Sequence, residues 1–216
     1  MRSPYRTELG RVTNTGELPK FIGLHPSKKM EGGHFPYRSI TESLVAIFLE
    51  WNKDVLKMWY EGFELTFEPI NNLPALTCWP DFRVVLDGGE IEWVNAKYSR
   101  VSLRDEERAQ LDLIDAHCAR SNVRHRVVFR EDLEQNGFIG TILLLRKYGS
   151  LTYQQANVSK ALTALKSQGA TYLEPWQRRA RTAGVPVDLL YFLLYHQQLP
   201  LLYRPLVHTG LQLCRV

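Results

Sequence analysis

The sequence is most informative over residues 78–97, CWPDFRVVLDGGEIEWVNAK. Apolar and polar residues alternate on both sides of Asp87-Gly88-Gly89, which is typical of two antiparallel strands joined by a tight turn. We therefore predict a β-hairpin here. If the loop consists of those three residues, Leu86 pairs with Glu90.

The length of the loop determines which polar side chains of the hairpin share a face. With the three-residue loop, Asp81 lies opposite Asn95, within about 5.5 Å, and diagonal to Lys97. With a two-residue loop, Asp81 would face Ala96 and the polar side chains would scatter. A polar cluster on this hairpin therefore requires an odd number of loop residues.

Such a cluster has a composition suited to phosphodiester hydrolysis. That reaction needs one or two hard cations held by oxygen ligands, which Asp81 and an acid on a helix can supply. Lys97 can position or activate the water, or stabilise the negative charge that develops on the phosphate. The alternative is a surface hairpin in which the acid and the lysine form an exposed ion pair of little energetic value.

Glu42 is the acid on a helix that could complete the cluster. It lies in Ser39-Ile40-Thr41-Glu42, which has the form of a capping box, so its carboxylate could simply accept a hydrogen bond from the Ser39 amide. The two roles are compatible if the start of the helix packs over the hairpin.

The periodicity outside the hairpin predicts a small mixed α/β core. Apolar residues at helical spacing predict a buried helix over 40–51 and a second helix over about 105–120. Alternation predicts a half-buried strand over 63–67, and a short strand follows over 126–129. Together with the hairpin these elements give the order α-β-β-β-α-β, after which residues 130–149 turn into another helix.

These patterns divide the chain into three parts. Residues 1–38 form a basic N-terminal arm with turns, because they carry Gly, Pro and basic residues without a sustained period. Residues 39–149 hold the α/β core. Residues 150–216 contain several short helices, which could form a helical or a winged-helix module.

Composition favours a polyanionic partner and a reducing compartment. The 27 Lys and Arg residues outnumber the 23 Asp and Glu residues, as in many proteins that bind nucleic acids. The three cysteines are scattered and form neither a disulfide framework nor a CxxC zinc site. No Walker or GxGxxG loop indicates nucleotide binding. No apolar stretch is long enough for a membrane span or a signal, so we expect a cytoplasmic protein without a membrane partner.

Several ordered motifs resemble the TnsA endonucleases, which are subunits of heteromeric bacterial cut-and-paste transposases. The stretch HPSKKMEGGHFPYRSITESL (25–44) is similar to the segment that leads into the catalytic helix of that family. WPDF and VNAK stand where the family has its Pro-Asp and its x-x-Lys motifs, and GTILLLRKYG fits its final helix. The resemblance covers roughly residues 20 to 150.

The resemblance implies a restriction-endonuclease-like mixed sheet flanked by helices, of the PD-(D/E)xK class, with a small winged-helix-like C-terminal domain that binds partners. It implies that Glu42, Asp81 and Asn95 hold Mg²⁺, for which Mn²⁺ can substitute, and that Lys97 is catalytic. The implied reaction is cleavage of the 5′, non-transferred strand of double-stranded DNA at transposon ends. The implied partners are a TnsB-like DDE transposase and a TnsC-like AAA+ ATPase, in the bacterial cytoplasm beside the nucleoid.

Two departures from the family pattern bear on activity. Val45 stands where the family often has a second glutamate, and Asn95 stands where the broader class prefers an acid. Asparagine is neutral and offers only a carbonyl oxygen, so metal affinity should be weaker. The alternatives are another nuclease of the same class, of the phage head-completion or restriction type, and a non-catalytic DNA-binding adaptor with a decayed core.

Basic side chains near such a core are candidates for phosphate contacts. Those we consider are Lys28, Lys29, Arg100, Arg124 and Arg126.

Overall fold

The computed structural model describes residues 23–60, 64–69, 72–121, 123–165 and 172–201. The chain divides into two compact units, one ending at Glu131 and the other beginning at Asp132. In the first unit the strands and helices are β1 Gly23–Pro26, β2 His34–Tyr37, α1 Ile40–Trp51, β3 Val55–Tyr60, β4 Leu65–Phe67, β5 Leu76–Cys78, β6 Phe82–Leu86, β7 Ile91–Lys97, α2 Asp105–Arg120 and β8 Arg124–Phe129.

The first unit is built on a four-stranded mixed sheet in the order β3-β6-β7-β8. The first three strands are antiparallel neighbours, whereas β8 pairs with β7 in parallel. Helix α2 connects β7 to β8. In chain order, α1, the four strands of this sheet and α2 therefore follow one another as α1-β3-β6-β7-α2-β8, that is, α-β-β-β-α-β. The predicted mixed α/β class is confirmed.

Helix α1 has the predicted bounds and is buried on most of its surface. Ser39 caps its first turn, since the Ser39 hydroxyl accepts a hydrogen bond from the Glu42 amide at 3.1 Å. Val45 and Leu49 are fully buried and Phe48 nearly so. An apolar surface of this kind must pack against another layer, and α1 contacts β2, β3 and β7.

The first strand of the sheet differs from the prediction. We expected it at 63–67, but the strand in the sheet is β3, Val55–Tyr60, and Leu65–Phe67 forms a separate small hairpin with β5. Pairing with β6 shifts register between Val55 and Lys57, so Val55 and Met58 are both buried at a spacing that does not alternate. This bulge interrupts the alternation of buried and exposed residues by which a strand is recognised in a sequence.

Part of the predicted N-terminal arm is a hairpin. Residues 1–22 lie outside the described residues, but β1 and β2 pair antiparallel from Gly23↔Tyr37 to Pro26↔His34. Their turn uses Gly32 and Gly33, both with positive φ (91° and 76°), and Phe35 is fully buried. The single buried aromatic residue in a polar stretch is too weak a pattern to predict a strand.

The second unit is helical over its described residues. Its elements are the end of α3 Arg130–Glu134, a 3₁₀ turn Gln135–Gly137, α4 Phe138–Arg146, α5 Gln155–Leu165, α6 Leu173–Thr182 and α7 Val187–Tyr195. Its core includes Leu145 of α4, Trp176 of α6 and Leu190 of α7. Helix α4 therefore belongs to this unit, whereas the sequence-based boundary at residue 149 placed it with the α/β core. None of the helices in the described ranges is long and apolar enough to cross a membrane.

Candidate metal centre

The β6–β7 hairpin has the three-residue loop on which the predicted cluster depends. Phe82 pairs with Val94, and the Leu86 amide donates to the Glu90 carbonyl oxygen at 2.8 Å. Gly88 and Gly89 have φ angles of 98° and 83°, which residues other than glycine rarely adopt. The prediction of an odd loop is confirmed, and the register places residue 81 opposite residue 95.

Asp81 lies directly before β6, with one carboxylate oxygen hydrogen-bonded and the other available. Its Oδ2 accepts hydrogen bonds from the Ala96 amide at 2.7 Å and from Asn95 Nδ2 at 3.5 Å. Its Oδ1 accepts none from the described residues. Burial raises the pKa of Asp81 to about 6, with a further contribution from the negative charge of Glu42, while the Ala96 hydrogen bond and Lys97 act in the opposite direction.

Glu42 is held at the start of α1 by two donors. Its Oε2 accepts from the Arg38 amide at 2.8 Å and from the Tyr60 hydroxyl at 2.5 Å. The Ser39 half of the predicted capping box is present, but the carboxylate bonds the Arg38 amide instead of the Ser39 amide. The charge of Glu42 is close enough to raise the pKa of Asp81.

Asn95 is on the face of β7 expected from the loop, but its carbonyl oxygen is already engaged. Asn95 Oδ1 lies 2.9 Å from His125 Nε2, and His125 Nδ1 lies 2.5 Å from Asp115 Oδ1. The His125 side chain is only 1% exposed. His125 was not among the predicted site residues, since no Cys or His stands at metal-ligand spacing from it. Its partners depend on the parallel β7–β8 register, which no local pattern reveals.

Lys97 follows on the same face and forms an ion pair with helix α2. Its Nζ lies 3.2 Å from Glu107 Oε1, and both side chains are partly buried. Glu107 Oε2 accepts from the Arg104 amide at 3.2 Å, which closes the first turn of α2. The hydrogen bonds from Arg104 and Lys97 lower the pKa of Glu107 to about 2. Glu107 was not among the predicted site residues.

Two of the five candidate DNA contacts have roles inside the fold. The Lys29 ammonium donates to the last carbonyl oxygens of α1, and burial lowers its pKa to about 8. Arg126 lies under α1, where it pairs with the buried Glu92 at 2.8 Å and stacks over Phe48. The prediction that these two residues contact phosphate is not favoured by their positions.

The other three candidates lie closer to solvent. Arg100 pairs with Glu131 at 2.9 Å, and Arg124 pairs with Glu90. Lys28 is exposed, and among the described residues no acidic group pairs with its ammonium. Surface ion pairs are weak, so Arg100 and Arg124 can exchange their partners for phosphate at little cost.

Two carboxylates of the site each keep one oxygen that no hydrogen bond from the described residues occupies, and such oxygens are the ligands that a hard cation takes. Glu42 Oε1, like Asp81 Oδ1, accepts no hydrogen bond from the part of the chain that the structure describes. Mg²⁺ usually keeps several waters and takes one or two protein carboxylates together with substrate phosphate. Within those same ranges, no group of three or more His, Cys, Asp or Glu residues is arranged around a common point. The third ligand implied by the resemblance, the Asn95 oxygen, is the one that His125 engages.

No protein-family model and no curated protein sequence matches the chain. The TnsA resemblance thus rests on the short motifs alone. The function has to be argued from the side chains that meet at the end of the β6–β7 hairpin.

Proposed function

We propose that the chain is a Mg²⁺-dependent DNA endonuclease of the TnsA type, which cuts the 5′ strand at transposon ends. The observation that carries this proposal is the register of the β6–β7 hairpin, which sets Asp81 opposite Asn95. Glu42 acts electrostatically on the same carboxylate, and Lys97 stands on the same face of β7. Two carboxylates that can hold a cation, beside a lysine, suit phosphodiester hydrolysis.

Each of these residues has a distinct task in the proposed reaction. Glu42 and Asp81 would hold the cation, since each offers an available carboxylate oxygen. The chemistry supplied by bound Mg²⁺ is charge neutralisation at the phosphate and a lower pKa of the attacking water. Tyr60 orients Glu42 through its hydroxyl. Lys97 stabilises the negative charge that develops on the phosphate oxygens.

The architecture of the first unit supports the same proposal. A mixed sheet with the chain order α-β-β-β-α-β is what we expect for a restriction-endonuclease-like core. The acid on α1 and the polar ends of β6 and β7 then come from different elements of one unit. A site on rigid elements keeps its ligands in place without substrate.

The proposed partners are those that the TnsA resemblance implies. A small nuclease core of this kind has little surface with which to select a DNA sequence. We place site selection in a TnsB-like DDE transposase that cuts the other strand and in a TnsC-like AAA+ ATPase. The helical second unit is the part that would bind them.

A second candidate function is that of a DNA-binding adaptor without catalysis. The observation that favours it is that two site residues are already bonded within the protein. His125 engages the Asn95 oxygen, and Glu107 forms an ion pair with Lys97. A decayed site could keep such internal bonds after it lost its cation.

Cleavage of supercoiled plasmid tests the proposal. A plasmid that carries the transposon ends is incubated with the chain and Mg²⁺ or Mn²⁺, with and without the cognate transposase, and nicks are mapped on each strand. We expect nicks on the 5′ strand, lost in Asp81→Ala because the cation loses its ligand. Asp87→Ala, which removes an exposed acid from the loop of the same hairpin, should cut like the wild type.

Each other outcome favours a different function. Nicks that persist in Asp81→Ala would show that another site or a contaminant cuts. Cleavage away from transposon ends without the transposase would indicate a restriction or phage-type nuclease. DNA binding without any cleavage, even beside the transposase, would support the adaptor.

A further inference from the structure

We propose that Asp115 and His125 are positioning residues for the metal centre, and that Asn95 acts with them as a hydrogen-bond donor instead of a metal ligand. We call Asp115, His125 and Asn95 the Asn95 relay. The proposal rests on the proposed function, because it explains how Asp81 is oriented for a cation. It assigns Asn95 a role that differs from the one implied by the resemblance.

The relay joins three elements at one buried ring. Asp115 lies on α2, His125 on β8 and Asn95 on β7, and the histidine side chain between them is 1% exposed. Both ring nitrogens are used, at 2.5 Å to Asp115 Oδ1 and 2.9 Å to Asn95 Oδ1. A buried polar side chain bonded at both ends has a single orientation.

That ring determines which end of the Asn95 amide faces the candidate cation. The two ends of an amide have nearly the same size, so only their partners distinguish them. An amide oxygen and a carboxylate oxygen can only accept, so the relay requires His125 to donate from both ring nitrogens, from Nδ1 to Asp115 and from Nε2 to Asn95. The Asn95 NH₂ group is thereby directed to Asp81, where Nδ2 lies 3.5 Å from Oδ2.

This orientation of the Asn95 amide determines how the Asp81 carboxylate is held. The Asn95 NH₂ group and the Ala96 amide both approach Oδ2. They orient the carboxylate so that Oδ1 is the oxygen left for a cation. An acid at position 95 would instead place a second negative charge against Asp81. Asparagine at this position therefore suits a site that binds its cation through Glu42 and Asp81, because it donates to Asp81 without adding a negative charge.

Mn²⁺ binding to the DNA-free protein, followed by electron paramagnetic resonance, tests the relay without reference to cleavage. His125→Phe keeps the ring volume but removes the donor, and Asp115→Ala removes the partner of the ring. We expect both to weaken Mn²⁺ binding by about tenfold or more, as changes to the partners of metal ligands generally do. His125→Gln, which retains an N–H donor, should recover part of the affinity.

His117→Phe is the matched control. His117 is a fully buried histidine of α2 whose Nε2 bonds the Pro74 carbonyl oxygen at 2.9 Å, and it is not part of the relay. We expect it to lower the melting temperature while leaving the Mn²⁺ affinity unchanged. A general loss of stability would affect both histidine variants alike.

The side-chain amide signals of Asn95 in the ¹H–¹⁵N spectrum give a second readout. We expect His125→Phe to shift these signals and to speed their exchange with water. Wild-type Mn²⁺ affinity in His125→Phe, or an unchanged Asn95 signal, would overturn the relay and leave the nuclease proposal standing. A wild-type protein that binds no more Mn²⁺ than Asp81→Ala would overturn the metal centre, and with it the role of the relay.

Discussion

At the scale of single residues, the raised pKa of Asp81 is the property that best fits the proposed metal centre. Its pKa is raised from 3.8 to about 6 by burial and by Glu42, so its charged form is disfavoured in the folded protein. Each pKa unit corresponds to about 1.4 kcal/mol. A carboxylate kept at such a cost is common at sites that bind cations, since the cation favours the charged form.

We predict that Asp81→Asn stabilises the protein at high pH. Because the folded pKa exceeds the unfolded one, wild-type stability relative to this variant is lost as pH rises from about 4 through about 6. The variant should therefore have a free energy of unfolding higher by on the order of 2 kcal/mol at pH 8, and no advantage near pH 4. Urea denaturation at both pH values measures this, and a difference independent of pH would contradict it.

The ion pair between Lys97 and Glu107 gives a second prediction at this scale. Glu107→Gln keeps an oxygen for the Arg104 amide but removes the charge that holds the lysine. We expect DNA cleavage to slow by about tenfold, because a catalytic group shifted by a fraction of an ångström loses much of its effect. Glu106→Gln, in the same turn of α2 and exposed, is the control. Faster cleavage would show instead that Glu107 competes with the phosphate for Lys97.

At the scale of elements, the β1–β2 turn caps the end of α1. The last carbonyl groups of a helix lack partners within it. Here the Lys29 ammonium donates to the Leu49 and Asn52 carbonyl oxygens at 3.2 and 2.5 Å. Glu50 of α1 accepts a hydrogen bond from the Ser27 hydroxyl at 2.5 Å. Residues 26–30 thus have a structural role, because they hold the C-terminal end of α1.

We predict that Glu50→Ala destabilises this connection. It leaves the Ser27 hydroxyl and the Lys28 amide without their acceptor, and hydrogen bonds to a charged group contribute about 1.5–3 kcal/mol. The free energy of unfolding should fall by about 2 kcal/mol. Glu68→Ala removes an exposed acid and should change it by less than about 0.5 kcal/mol. Equal effects of the two variants would contradict the proposed cap.

At the scale of the whole molecule, each of the two compact units has buried apolar packing of its own among its described residues. In the first unit, α1 packs on the sheet around residues such as Phe48 and Phe82, and both are almost fully buried. In the second unit, Trp176, Leu190 and Leu194 form a core between helices. Units with separate cores can lose structure independently.

We predict that Leu190→Ala loosens the second unit alone. Removal of a fully buried leucine costs about 2–5 kcal/mol, and this loss should appear as faster hydrogen exchange within residues 132–201. The amides of β6 and β7 and the Mn²⁺ affinity should not change. Leu143→Ala, at a partly exposed position on α4, is the control. A matching rise of exchange in the hairpin strands would show that the units unfold together.

The sequence by itself determined the local features. Helices α1 and α2 begin and end where periodicity and first-turn residues predict them, and the Asp87-Gly88-Gly89 loop sets the register that opposes Asp81 to Asn95. These features depend on residues within a few positions of one another. Their signals therefore survive in a one-dimensional pattern.

Only the tertiary structure decided the partners of the site residues. His125 reaches Asn95 through the parallel β7–β8 pairing. Tyr60 reaches Glu42 from β3, the strand whose bulge hides it in the sequence. Arg126 lies beneath α1 and pairs with Glu92. Each of these contacts joins residues of different elements that packing brings together. Which side chains meet there depends on how the layers are stacked, and no spacing along the chain records it.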